Sequence, residues 1–258
     1  MTLLTAACMG DEEEAAEPAA RPAATTTEEA PEQPAAPSDF AAEAASFSVV
    51  LSWAHAPGDP EAERYAVYRD GSVLITMSGS ETTFTDDTVV PGREYLYELE
   101  ARSGNGVSDR IPTTAETVVP PLRAARVAGT FNVRTRTLSR SGYSSYQAPV
   151  FGWRFRPRCR EGACDIRWSD LHQRRVRGTL QRRGIRYRGS YTGPFTTQCA
   201  GVPATSSVEI ELEVVAARVI GRQWRATRIV GRLDQSEAVQ LGCGSSSASH
   251  SLNARLVR

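Results

Sequence analysis

The sequence predicts an all-β protein of two domains behind a disordered arm, and three observations carry that prediction. Runs of five to eight residues alternate apolar with polar side chains, the period of a half-buried strand. Glycine, proline and Asp-Gly or Asn-Gly dipeptides separate the runs, and no convincing helical period appears. The first 45 residues carry neither period. Charge divides the chain in the same places. The formal net charge is zero, yet residues 1–45 hold ten acids and one arginine, 46–120 twelve and five, and 121–258 eight and twenty-four. A basic domain behind acidic segments implies an anionic partner or an internal electrostatic contact. The cations are all arginine, with no lysine, which reads as the mark of a GC-rich genome. Codon usage explains which cation is used and leaves its concentration in one domain unexplained.

At the N-terminus, Leu3-Leu4-Thr5-Ala6-Ala7-Cys8 resembles the end of a bacterial lipoprotein signal, in which small residues precede a lipidated cysteine. The charged leader and the apolar run of roughly 7–15 residues that precede such a site are absent, so residues 1–8 read as a truncated signal with Cys8 as the lipidated residue. A diacyl anchor would hold the domains outside the membrane, and no stretch reaches the roughly 18 apolar residues of a spanning helix. Residues 9–45 are rich in Ala, Pro, Glu and Thr and include Asp11-Glu12-Glu13-Glu14. Such a segment cannot bury enough apolar surface to offset its ordering entropy, so it reads as a self-repelling tether. Fully stretched it would reach on the order of 110–130 Å.

Residues 46–118 supply the first domain. Phe47, Val49, Leu51 and Trp53 alternate in one strand, and Tyr65 to Arg69 form another ending at Asp70-Gly71. Thr83 to Asp86 is a short strand, Glu94 to Ala101 a long one after Pro91-Gly92, and Asn105-Gly106 is a hairpin signal before a last strand near Asp109–Thr114. This order resembles a fibronectin type III domain. Trp53 matches that family's core tryptophan, Tyr65 and Val67 its core pair on the next strand, and Tyr95 its tyrosine corner. The resemblance implies a seven-stranded β-sandwich without an activity of its own, a spacer or accessory module often found beside polysaccharide-degrading or binding domains. Arg69-Asp70-Gly71 is a turn and not the integrin-recognition order. Val118-Val119-Pro120-Pro121 reads as a stiff hinge.

Residues 119–258 read as a basic, disulfide-stapled all-β domain, with strands near 126–139, 150–157, 164–168, 174–181, 185–191, 207–219, 223–233 and 248–257. Val208, Ile210, Leu212 and Val214 alternate with Glu209, Glu211 and Glu213, and Trp153 and Phe155 with Arg154 and Arg156. One face is therefore apolar and the other charged, as in an antiparallel barrel or strongly curled sheet. The cysteines other than Cys8 all lie here, and an even number in a chain with export features points to disulfides. Cys159 with Cys164, and Cys199 with Cys243, is the favoured pairing, worth roughly 2–4 kcal/mol each in the loop-entropy view. The spacing lacks the C-x2-C signature of a zinc site. The run Trp153-x-Phe155-x-Pro157-x-Cys159-x4-Cys164-Asp165, followed by Tyr187-x-Gly189-x-Tyr191 and a distant cysteine, resembles an uncharacterised β domain of exported proteins from high-GC bacteria. That resemblance implies no chemistry.

The candidate site is a cationic strip with aromatic neighbours: Arg154, Arg156, Arg174, Arg175, Arg177, Arg182, Arg183, Arg186 and Arg188, with Trp168, Tyr187 and Tyr191 to stack on sugar rings. Guanidinium forks suit phosphate and carboxylate, so an anionic or carbohydrate envelope polymer is the expected partner. The competing reading is that these arginines fill wet strand positions and pair across strands with Glu209, Glu211 and Glu213. Nucleic acid would suit the charge pattern but is rarely met by an exported, lipid-anchored chain. Catalysis finds little support. Ser169, Asp170 and His172 lie close in sequence without a nucleophile elbow, and no facing carboxylate pair for glycoside hydrolysis is arguable. The sequence thus predicts a non-catalytic extracytoplasmic binding protein, with no cofactor or metal and with the lipid anchor as its membrane contact. The alternatives are a structural or protein-interaction lipoprotein, or an accessory module of a polysaccharide-degrading system. A small apolar ligand inside a closed barrel is a third.

Overall fold

The computed structural model describes residues 33–55, 62–142, 150–172, 176–196, 203–239 and 244–257. Among them the chain forms a two-sheet sandwich and then a closed barrel. One sheet of the sandwich holds β1 (Ser38–Ala44), β2 (Val49–Ala54) and β5 (Thr83–Asp86) in the order β1-β2-β5. The other runs β4 (Ser72–Ser78), β3 (Arg64–Arg69), β6 (Glu94–Ser103), whose far edge pairs with β7 (Gly106–Val107) and β8 (Ile111–Glu116). The first strand begins at Ser38, inside the stretch read from sequence as tether. Phe40, Ala42 and Ala44 alternate inward there and pack on the sandwich core. Alanines are weak strand formers, so their alternation is hidden in an alanine-rich background.

Val49, Leu51, Trp53, Tyr65, Val67, Tyr95, Tyr97 and Leu99 fill the space between the sheets. Trp53 packs edge-on to Tyr65 at 5.5 Å. The Tyr95 hydroxyl accepts the Val90 backbone N–H at 2.8 Å, the upstream contact expected of a tyrosine corner. Asp70 and Gly71 turn at φ 51° and 79°, the positive dihedrals of a two-residue hairpin, which favour an Asp-Gly pair. At the sheet edge Asp86, almost fully buried, accepts hydrogen bonds from Arg69 Nη1 at 2.6 Å, Tyr97 Oη at 2.8 Å, and the Thr88 backbone N–H and hydroxyl at 2.9 and 2.6 Å.

The second domain is an eight-stranded antiparallel barrel: β9 (Gly129–Ser141), β10 (Val150–Pro157), β11 (Ile166–Asp170), β12 (Arg177–Arg183), β13 (Arg186–Thr196), β14 (Pro203–Ile220), β15 (Gln223–Val239) and β16 (Ser246–Leu256). Each strand pairs with the next, and β16 returns to pair with β9. Period-two alternation dictates the section: Phe131, Val133, Trp153, Phe155, Ile166, Leu180, Ile210, Leu212, Ile229 and Leu252 point inward and are buried. A barrel of eight strands is just wide enough for side chains to fill it.

The two ends differ. At the end nearer the sandwich, a 3-10 turn (Leu122–Ala124) leads into buried Ala125 and Val127. The Cys159–Cys164 disulfide clips the β10–β11 connection there, its Cα atoms 6.1 Å apart. Arg126 ties the two together, donating to the carbonyls of Cys159 at 2.8 Å and Gly162 at 3.1 Å. Cys8, Cys199 and Cys243 lie outside the described residues.

Candidate functional site

Strand geometry divides the predicted strip. Arg154, Arg156, Arg167, Arg177, Arg183, Arg186 and Arg188 face outward and are exposed. Trp168 and Tyr187 do not join them. Each follows an outward arginine by one residue, so each points to the barrel interior, where both are at most 2% exposed. Tyr191 is half-buried against the same core. Arg182 is also displaced from the strip. It sits in line with Leu180 on the inward face of β12 and crosses the closed end, donating to the carbonyls of Ala163 and Arg123. Arg174 and Arg175 lie outside the described residues. The aromatic half of the predicted site is therefore core, and the outward wall is a surface of charge.

That wall has two parts. On β13 and β14, Arg186 pairs with Glu213 and Arg188 with Glu211, each at 3.1 Å and each directly opposite its partner in the ladder. Here the competing reading describes the surface. On β10, β11 and β12 the register instead places Arg156 opposite Arg167, Arg154 opposite Ser169, and Ser169 opposite Arg177. Among the described residues Arg154, Arg156, Arg167 and Arg177 have no acidic partner. They line a groove of about 780 Å³ together with Ser169, Leu171 and Thr179, and buried Trp168 and Asp170 border it from the wall. Like charges directly opposite on a ladder are destabilising, and Arg156 and Arg167 stand in that relation here.

The candidates for catalysis do not assemble. Asp170 Oδ1 accepts the backbone N–H of His172 at 2.7 Å, a local turn contact that does not involve the imidazole. Buried Asp170 and half-buried Ser169 are strand neighbours and so take opposite faces. His55 bonds the Tyr65 hydroxyl at 2.8 Å. His250 is fully buried beside the Thr137 hydroxyl, and burial holds its imidazole below the usual histidine range. Among the described residues no three His, Cys, Asp or Glu side chains cluster as a metal site, and no helix is long and apolar enough to cross a membrane.

No family model matches the chain. Among characterised proteins it is 39% identical over 75 residues to chitinase 63 of Streptomyces plicatus, covering 29% of this chain and 12% of that one. With chitinase C of Streptomyces lividans it shares 38% identity over 73 residues, 28% of this chain and 11% of the other. The chain therefore spans only about an eighth of the chitinases it matches. Among solved structures, the FN3tt crystal structure is 18% identical and covers 33% of this chain and 95% of its own, with a TM-score of 0.29. The central fibronectin-III array of RIM-binding protein is 10% identical over 80% of this chain and 92% of its own, with a TM-score of 0.28. With Trp53 in the core, the Tyr95 corner bond and the three-against-five-strand pairing, the N-terminal sandwich of this chain has the features expected of a fibronectin type III fold.

Proposed function

We propose that the protein is a non-catalytic, tethered extracytoplasmic binding protein. Its fibronectin type III domain acts as a spacer, and its barrel presents Arg154, Arg156, Arg167 and Arg177 to an anionic or carbohydrate polymer of the cell envelope. The observation that carries this reading is Arg156 lying directly across from Arg167, with Arg154 and Arg177 in the same groove and no acid paired to any of them among the described residues. Guanidinium forks on a pleated surface match the spaced phosphates or carboxylates of such a polymer. The likeness to a stretch of two chitinases favours work near a polysaccharide. Lipidation at Cys8 and the acidic arm would hold the barrel at a distance from the membrane.

The test is retention of the protein on immobilised teichoic acid, peptidoglycan and a charge-matched resin as salt is stepped upward. The double variant R156Q/R167Q is expected to lose at least tenfold in affinity for the preferred polymer, and R186Q/R188Q, which removes arginines already paired, less than twofold. Equal losses in both, or retention that tracks resin charge alone, would defeat the reading. A second reading, in which the acidic arm covers the arginine face and gates a protein partner, rests on the opposite charges of arm and barrel. Deleting residues 10–32, which spares β1, would then tighten anion binding.

A further inference from the structure

The barrel interior holds a feature that the arginine face does not explain. At the end away from the 3-10 turn lies a cavity of about 100 Å³, lined by Phe151, Trp153, Trp168, Asp170, Val176, Tyr191, Ser206, Val208, Leu233 and Gln235. Four of these are aromatic. Trp153 packs on Trp168 at 5.2 Å and stacks on Phe151 at 5.5 Å. Both indoles are buried, and both indole N–H groups lack a hydrogen-bond acceptor. A buried donor left without an acceptor costs about 1–3 kcal/mol, and here two such donors belong to side chains that line the same space. The Trp53 indole is buried without an acceptor in the sandwich as well, so an unpartnered N–H alone marks no site. The shared cavity distinguishes Trp153 and Trp168.

We propose that this end of the barrel binds a small uncharged molecule made of a short apolar body and a hydrogen-bond-accepting oxygen. The aromatic rings, Val208 and Leu233 take the apolar body, and the indole N–H groups of Trp153 and Trp168 supply the donors the oxygen needs. The volume sets the size, since an engineered cavity of about 150 Å³ admits benzene, with six heavy atoms. Two-thirds of that suits about four heavy atoms. The lining includes the acid Asp170, and a second negative charge moved into such a space is strongly disfavoured, so an anionic analogue should bind less well. Gly178 faces Trp168 across the ladder and leaves room for its indole, since a Cβ there would lie 2.9 Å from the indole nitrogen. The arginine face lies on the outer side of the same wall, and Trp168 and Asp170 line both spaces.

The test is a titration of the full chain, labelled with nitrogen-15, with acetone, isobutane and acetate, each of four heavy atoms, following the indole N–H resonances. The chain has four tryptophans, so Trp53 and Trp224 are internal controls. Acetone is expected to shift the Trp153 and Trp168 resonances saturably and leave the other two in place. It should bind at least tenfold more tightly than either analogue. Val208→Phe, which fills the cavity, should abolish the saturable shift while the indole spectrum stays that of a folded barrel. Should that variant unfold, the wild-type titration alone decides. No shift, an unsaturable shift of all four indoles, or equal binding of isobutane would overturn the proposal.

Discussion

Asp86 shows how one residue sets a property of its domain. Burial by itself would raise the carboxyl's pKa. The hydrogen bonds from Thr88, Tyr97 and Arg69 outweigh that and hold it below the usual aspartate range. The folded state therefore binds this proton less tightly than the unfolded one, and stability rises with pH across that interval. The contribution is complete above the unfolded aspartate value and is lost as pH falls through the folded one. Asp86→Asn should lower sandwich stability by about 1–3 kcal/mol near neutral pH, with a smaller penalty in acid, read as the thermal midpoint against pH. In sequence Asp86 was only the end of a strand, because two of its four donors, Arg69 and Tyr97, come from other strands. Trp168 is the opposite case. Its placement inside was legible from Arg167 beside it, since neighbours on a strand cannot share a face, whereas composition alone put both on one surface.

Strands were the most legible elements. The eight runs read from alternation in the second domain correspond to the eight strands of the barrel, and turn residues marked their ends. Two things escaped. The strands β14 and β15 run beyond the 207–219 and 223–233 read from alternation, at the end away from the Gly221–Arg222 turn, because cross-strand pairing continues there with Ser206 opposite Glu237 and Thr205 opposite Ala238. The sequence also carried no signal for Gly231, which sits opposite Leu212, where a Cβ would lie 2.0 Å from the Glu211 carbonyl oxygen. Backbone cannot yield there as a flexible side chain would. Gly231→Ala is expected to cost the barrel about 1–3 kcal/mol, as overpacking does. Calorimetry should show the barrel transition moving down and the sandwich transition unchanged.

At the scale of the molecule, the arginine-rich segment was visible from charge counts, but which arginines are free was not. Pairing depends on which strands the closure makes neighbours. β13 meets the glutamate strand β14, and β10 meets β11, which offers Arg167 instead of an acid. The sandwich and barrel touch through Arg222 and Asp87, an ion pair at 3.2 Å with both side chains 67% exposed. Pairs so exposed contribute less than about 1 kcal/mol and weaken in salt. Arg222→Ala should therefore leave both unfolding transitions in place and broaden the distribution of interdomain distances seen by small-angle X-ray scattering, as should high salt in the wild type. If either transition shifts, the two domains depend on each other more than this contact implies.

The pairing of β16 with β9 joins strands more than a hundred residues apart. A chain still emerging in order has no finished wall to offer, because every earlier strand can be in place while the ring remains a sheet with two bare edges. The arginine face needs that sheet curled, and the cavity needs it shut. Both sites are thus born together, at the moment the end of the chain finds its beginning, and cutting the final strand away would erase them in one stroke, although neither takes its key residues from it.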